Sequence, residues 1–185
     1  MRALLIAAAF LACVATTALG ADNSELRAFQ RDAQPGDAIA MRLHEGFVAD
    51  SRRIAVYTDT RGRRFTLYVA KTDRGWLCAV LRRPTGSGSG CSPRDQFFRP
   101  RSHGVYMSGR HFVGVTTNDV ASVVLIGSRG ARHRVPVTRD GGFIYNCRAY
   151  NGCASLIACV QSYDGANKLL GSERVMGGRC PTRRR

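Results

Sequence analysis

The chain has 185 residues, a formal charge of +15 and an apolar share of 44%. That is enough to bury one hydrophobic core without help from a metal. Beyond the first twenty residues no stretch is continuously apolar, which excludes a later membrane-spanning helix.

Met1-Arg2 precede an uncharged run from Ala3 to Ala15, and Thr16-Thr17-Ala18-Leu19-Gly20 then brings small residues to the two positions that a signal peptidase inspects. Residues 1–20 therefore read as a secretory signal peptide, cut after Gly20 to leave a secreted, extracellular chain. Phe10-Leu11-Ala12-Cys13 offers an alternative, a lipoprotein cut before Cys13 and anchored through it.

Six cysteines follow Cys13: Cys78, Cys91, Cys147, Cys153, Cys159 and Cys180. An even number in an oxidising compartment reads as three disulfides. No C-x2-C spacing points to zinc. A Cys78–Cys91 bridge would tether a loop to the preceding strand. The other four cysteines allow three arrangements, of which Cys147–Cys153 around Gly152 and Cys159–Cys180 are preferred, the second pinning the tail to a strand.

The mature chain, 21–178 with a basic tail at 179–185, reads as a single disulfide-stapled β domain. Asn23 or Ser24 caps a short amphipathic helix over 23–32 that shows Leu26 and Phe29 on one side, and Gln34-Pro35-Gly36-Asp37 ends it. An N-terminal meander over 50–82 follows, with period-two runs at Ile54/Val56, Phe65/Leu67/Val69 and Trp76/Cys78/Val80. Residues 82–101, with the Gly86–Gly90 serine alternation, read as a long flexible basic loop. Strands are then expected at 105–107, 112–116, 121–126, 133–138, 143–147, 156–162 and 168–175, forming a sandwich-like or barrel-like half over 104–178. The fold class is mainly β, an antiparallel meander plus that second half, with one short N-terminal helix.

Leu26-Arg27-Ala28-Phe29-Gln30-Arg31-Asp32-Ala33-Gln34-Pro35-Gly36-Asp37, Gly75-Trp76-Leu77-Cys78 followed by the Gly/Ser run and Cys91, and Val113-Gly114-Val115-Thr116-Thr117-Asn118-Asp119-Val120-Ala121-Ser122-Val123 together resemble uncharacterised secreted proteins of high-GC Gram-positive (actinobacterial) bacteria. Val135-Pro136-Val137 and Phe143 fill two further places of that pattern. Thr116-Thr117-Asn118-Asp119 departs from its usual Pro-Asp-Gly. The resemblance spans roughly residues 24–175, and implies export and architecture. The family has no assigned activity, so it implies no catalytic residues.

For catalysis the sequence offers little. No G-x-S-x-G elbow is present, and Ser102-His103-Gly104 lacks the cysteine that a transpeptidase would need shortly afterwards. His44, His103, His111 and His133 are dispersed, without the pairing that holds a metal, and no cofactor motif occurs. His103, His111 and Asp119 are the mildly clustered candidates for an enzymatic site, in a secreted hydrolase of unrecognised type. The positive charge is almost all arginine and gathers late: residues 21–75 carry +2, 76–140 carry +7 and 141–185 carry +5. Arg82, Arg83, Arg94, Arg99 and Arg101, with Phe97 and Phe98 between them, form a possible grip on an anionic surface or polymer such as wall polymer, nucleic acid or anionic lipid. Phe97 and Phe98 are expected to plug the core instead. The leading functional expectation is a non-catalytic secreted or cell-surface accessory module, with the anionic-polymer binder as its alternative.

Overall fold

The computed structural model describes residues 26–98, 103–108, 110–147, 157–175 and 178–180. The expected signal peptide with Cys13, Arg99, Arg101, Cys153 and the tail after Cys180 lie outside the described residues. The protein is mainly β and antiparallel. A single helical turn, α1 (Arg27–Gln30), precedes five strands, β1 (Arg42–Leu43), β2 (Gly46–Thr58), β3 (Arg64–Thr72), β4 (Trp76–Arg83) and β5 (Gly86–Pro93). A second turn, α2 (Arg94–Phe97), leads to β6 (His103–Ser108), β7 (His111–Thr116), β8 (Ser122–Gly127), β9 (Arg132–Pro136), β10 (Gly142–Asn146), β11 (Ile157–Tyr163) and β12 (Leu169–Arg174).

These strands form three sheets, in the orders β1-β2-β3-β4-β5, β10-β7-β6 and β12-β11-β8-β9. Strand alternation sorts the side chains into layers. Val113, Val115, Ile144 and Tyr106 of the three-stranded sheet pack on Ile54, Phe65, Leu67, Val69, Ala79 and Leu81 of the first sheet. Its opposite face sends Phe112, Phe143 and Tyr145 against Val123, Leu125, Val135 and Val160 of the last. The three-stranded sheet is thus the filling between two others. β9 and β10, joined by a tight turn, also approach each other, which draws one side of the second half towards a barrel.

The expected loop at 82–101 is corrected by the structure. Gly86–Pro93 is a regular strand paired along its whole length with β4, from Arg83↔Gly86 to Trp76↔Pro93. The alternation of glycine with serine has a strand's period of two, and the reason for it lies in the next layer. A Cβ on Gly88 would sit 2.5 Å from the Ser108 Oγ, and one on Gly90 would sit 2.9 Å from the Tyr106 ring. Glycine on that face lets β5 lie against β6, while Ser87 and Ser89 face outwards. The Tyr106 hydroxyl closes the contact: it accepts from the Leu81 N–H and donates to the Gly88 carbonyl, both at 2.8 Å. Phe97 and Phe98 are buried in the first core, as expected.

Two of the expected bridges are formed, Cys78–Cys91 and Cys159–Cys180. The first ties β4 to β5, whose residues 78 and 91 face each other directly. Cys147 is also disulfide-bonded; the expected partner, Cys153, lies outside the described residues. Among those residues no helix is long and apolar enough to cross a membrane. At the N-terminal edge, buried Asp37 accepts from the Arg31 guanidinium at 2.6 and 3.0 Å and from the Gln34 and Arg53 N–H groups. Arg31 reaches on to Asp140 in the β9–β10 turn at 2.9 Å, clasping α1 to the middle sheet. The Arg31 guanidinium, ahead of the two N–H groups, holds the Asp37 carboxyl well below the usual range despite its burial.

Candidate functional site

Strand alternation sends the odd residues of β4 towards the middle sheet, so Arg83 at its end points the same way as Leu81. The odd residues of β7 point back, and His111 opens that strand. Arg83 and His111 therefore meet in a cavity of about 250 Å³ that Arg63, Arg110, Phe65 and Asn146 also line. Arg63 arrives from the β2–β3 turn and Arg110 from the β6–β7 turn, where its carbonyl is held by the Cys147 N–H at 2.9 Å. Asn146 is the register partner of His111 on β10 and donates to the Tyr57 hydroxyl at 3.1 Å.

The pocket has more donors than acceptors. Its one carboxylate, Asp59, is committed to Arg63 at 2.7 Å and to the Arg61 and Arg63 N–H groups at 2.9 Å. Burial pushes the Asp59 carboxyl up, but Arg63 and those N–H groups outweigh it and leave it below its ordinary value. Three guanidiniums against one carboxylate leave two positive charges unbalanced. The Arg83 Nε and the His111 Nε2 are buried and have no hydrogen-bond partner. His111 is 7% exposed, and its ring stacks on Phe65 at 4.2 Å between centroids. Burial, then Arg83, holds its imidazole below the ordinary value, with Arg63 adding to the effect against the pull of Asp59.

A second polar constellation lies at the other end of the same hairpin. His103, on β6, is fully buried with its Nδ1 3.1 Å from the Ser162 Oγ and its Nε2 3.5 Å from the Glu173 carboxylate on β12. Burial pushes His103 down to about 4 and Glu173 up to about 7. Glu173 also lines a cavity of about 270 Å³ beside Gln96, Phe97 and Tyr106. The serine, histidine and carboxylate are the residue types of a hydrolase, yet Ser162 has no exposed surface and its hydroxyl cannot reach a substrate. The arrangement is a polar clamp between the middle and last sheets.

The expected grouping of His103, His111 and Asp119 does not form. His103 pairs with Thr116 and His111 with Ser108, five positions apart along one hairpin, about 16 Å at the rise of a strand. They also face opposite layers, and the Asp119 carboxylate accepts from the Thr117 hydroxyl. Nor do the described members of the arginine group form one face. Arg83 lies at one end of the β4–β5 hairpin and Arg94 just past the other, beyond the seven register steps, about 23 Å, from Gly86 to Pro93, and exposed Arg82 points away from Arg83. Among the described members of that group, Arg83 alone lines the cavity. Its companions Arg63 and Arg110 come from turns 20 and 27 residues away in the chain. Glu45, Cys78 and Cys91 come together like metal ligands, but both sulfurs are committed to the disulfide. Compared with protein-family models, curated proteins and solved structures, the chain matches none.

Proposed function

We propose that the protein is a non-catalytic, exported binding module that captures an anionic group of an extracellular ligand in the Arg63–Arg83–Arg110–His111 pocket. The observation that carries this reading is one cavity lined by Arg63, Arg83, Arg110 and His111 with positive charge in surplus, where the Arg83 Nε and His111 Nε2 are also buried without a hydrogen-bond partner. Buried polar groups are almost always hydrogen-bonded, and the Arg83 Nε–H, which can only donate, leaves a place for an acceptor. Guanidiniums are suited to bidentate capture of oxyanions. The disulfides support export, since such bridges persist in oxidising compartments. They also support a preformed site: β4, which carries Arg83, is bridged to β5, and the strand end that holds the Arg110 carbonyl carries a bridged cysteine.

A compact pocket favours the end group of a ligand over the repeating backbone of a polymer, because Arg82 and Arg94 do not extend it into a track. The test is a titration of the purified chain with small phosphates, sulfates and carboxylates at low and high salt. Affinity for at least one class is expected to fall with salt and to fall again in Arg83→Gln. Binding that ignores both changes, or no binding at low salt, sinks the reading.

A further inference from the structure

Strand alternation also sorts the last sheet, whose inner side packs on the middle sheet while its other side turns outwards. One register row across that outer side runs through Arg132 on β9, Ile126 on β8, Cys159 on β11 and Arg174 on β12. Three strand spacings put its two arginines about 14 Å apart. Arg134 follows Arg132 on the same face of β9, about 7 Å along the strand. After β12 the chain returns, and the Cys159–Cys180 bridge holds Cys180 over this side with Arg179 next to it. Arg132, Arg134, Arg174 and Arg179 are all exposed.

Among the described residues no carboxylate pairs with any of these four. Arg132 donates to the Gln161 Oε1 at 3.3 Å and the Tyr163 hydroxyl at 3.2 Å, and Arg134 to the Asn167 Oδ1 at 3.4 Å. Such neutral partners steady a guanidinium without cancelling its charge. Glu173, beside Arg174, turns inwards to His103, and the Asp164 carboxylate accepts from the Ala166 and Lys168 N–H groups of its own turn. The stretches that adjoin this sheet in the sequence, 148–156, 176–177 and 181–185, contain no Asp or Glu and add Arg148, Arg183, Arg184 and Arg185. Val124 and Ile126, the apolar residues between the arginines, are only 6% and 3% exposed, so the face offers charge and no apolar wedge.

We propose that this outer face of the last sheet is a docking surface for a lipid bilayer with anionic headgroups, separate from the anion pocket that the first and middle sheets form. Its arginines spread in two dimensions over a sheet, from β9 across to β12, instead of following one line. That layout matches a plane of headgroups better than the backbone of a linear polymer. With no apolar side chain to insert, the protein adsorbs at headgroup level by charge. Each arginine within a screening length of about 8 Å of such a surface strengthens binding about fivefold, so four acting together give several hundredfold. The disulfide fixes Arg179 to the sheet that carries the other three, which lessens the ordering that docking requires.

Co-sedimentation of the purified chain, cut after Gly20, with phosphatidylcholine vesicles tests this, with and without anionic phosphatidylglycerol, at low salt and at about 0.5 M salt. The expected result is partitioning onto the phosphatidylglycerol vesicles alone, lost at the higher salt. Arg132→Gln combined with Arg174→Gln should weaken it about 25-fold. Arg64→Gln combined with Arg74→Gln removes the same charge from exposed sites on the first sheet and its β3–β4 turn, and should change it by less than about twofold. Arg83→Gln should partition like the wild type. Urea midpoints matching the wild type show that each variant is folded. Equal weakening by the two double variants, binding to phosphatidylcholine alone, or no binding to phosphatidylglycerol at low salt overturns the docking face. Loss of partitioning in Arg83→Gln moves the contact to the pocket and overturns it too. Capture by dextran sulfate that depends on Arg132 and Arg174, at a salt concentration where the vesicles bind nothing, assigns the face to a polymer and overturns the bilayer.

Discussion

His103 and His111 belong to one hairpin and are both buried, His103 the more completely, yet their surroundings differ. His103 faces the last sheet, where Ser162 and Glu173 meet it and burial alone depresses its imidazole. His111 faces the first sheet and lines the cavity with Arg63, Arg83 and Arg110, so an arriving anion would oppose the positive field that it feels. A buried histidine can thus serve as a clamp or, as we propose for His111, line a binding pocket according to what completes its polar shell. The two faces of a single strand pair supply both cases.

The comparison depends on the middle sheet being held by both neighbours, and the largest expected effect comes from releasing one side. Asp37→Ala leaves Arg31 facing Asp140 alone and strips the Gln34 and Arg53 N–H groups of their acceptor. A loss of about 3–5 kcal/mol in urea unfolding is expected. In the wild type this contribution is complete above the ordinary aspartate range and fades as pH falls below about 4 towards the depressed value of the folded state. Asparagine at the same position is expected to recover part of the loss.

Gly114→Ala attacks the hairpin from within. The new Cβ would lie 2.4 Å from the Phe143 ring and 2.9 Å from the Gly104 carbonyl, so about 2–3 kcal/mol should be lost and both histidine environments disturbed together. If only one responds, the hairpin is not the rigid link between them. Tyr106→Phe removes the hydroxyl between Leu81 and Gly88 and is expected to cost about 2 kcal/mol, with the His103 clamp unaffected.

Glu173→Gln separates the two histidines by pH. A carboxyl raised to about 7 from an ordinary value near 4 stabilises the fold most below that ordinary value, and the contribution is lost as pH rises through 7. His103 works in the opposite sense: held near 4, it favours the fold above the ordinary histidine range and loses that contribution as pH falls towards 4. Glutamine cannot ionise, so the variant should match the wild type near pH 4 and exceed it above pH 7 by about 1–2 kcal/mol, a figure reduced for partial exposure of the side chain. Urea midpoints at pH 4.5 and 8 check this, and equal differences at both would remove the clamp from the account. The smallest effect is expected from Arg82→Gln and Arg94→Gln. One points away from the pocket and the other lies beyond a screening length of about 8 Å, so the anion affinity of the pocket should stay within about twofold.

The pocket was only partly visible in the sequence. Arg83 and His111 stood out as members of an arginine group and of a histidine set, but each with the wrong companions. Arg63 and Arg110 gave no local signal, because an arginine beside a turn glycine or at a hairpin end is ordinary solvated chain. Ser162 and Glu173 were invisible for a related reason: a serine in a strand and a lone glutamate acquire meaning only when a buried histidine from another sheet comes to rest between them. The Gly/Ser run did carry a legible signal, its period of two, which composition masked because glycine and serine also make flexible linkers.

What the sequence determined by itself was local and periodic. Alternating side chains set the strands from Ile54 onwards, turn residues spaced them, and nearness in the chain pointed to the Cys78–Cys91 bridge, although its place across one hairpin came only with the pairing of β5 on β4. The tertiary structure alone decided which sheet faced which, that β5 could lie against β6, and that two histidines on one hairpin should meet different partners. Strand pattern depends on neighbours one or two residues away. Layer packing depends on contacts across the chain, such as Thr138 with Ile54, whose pairing no local preference encodes.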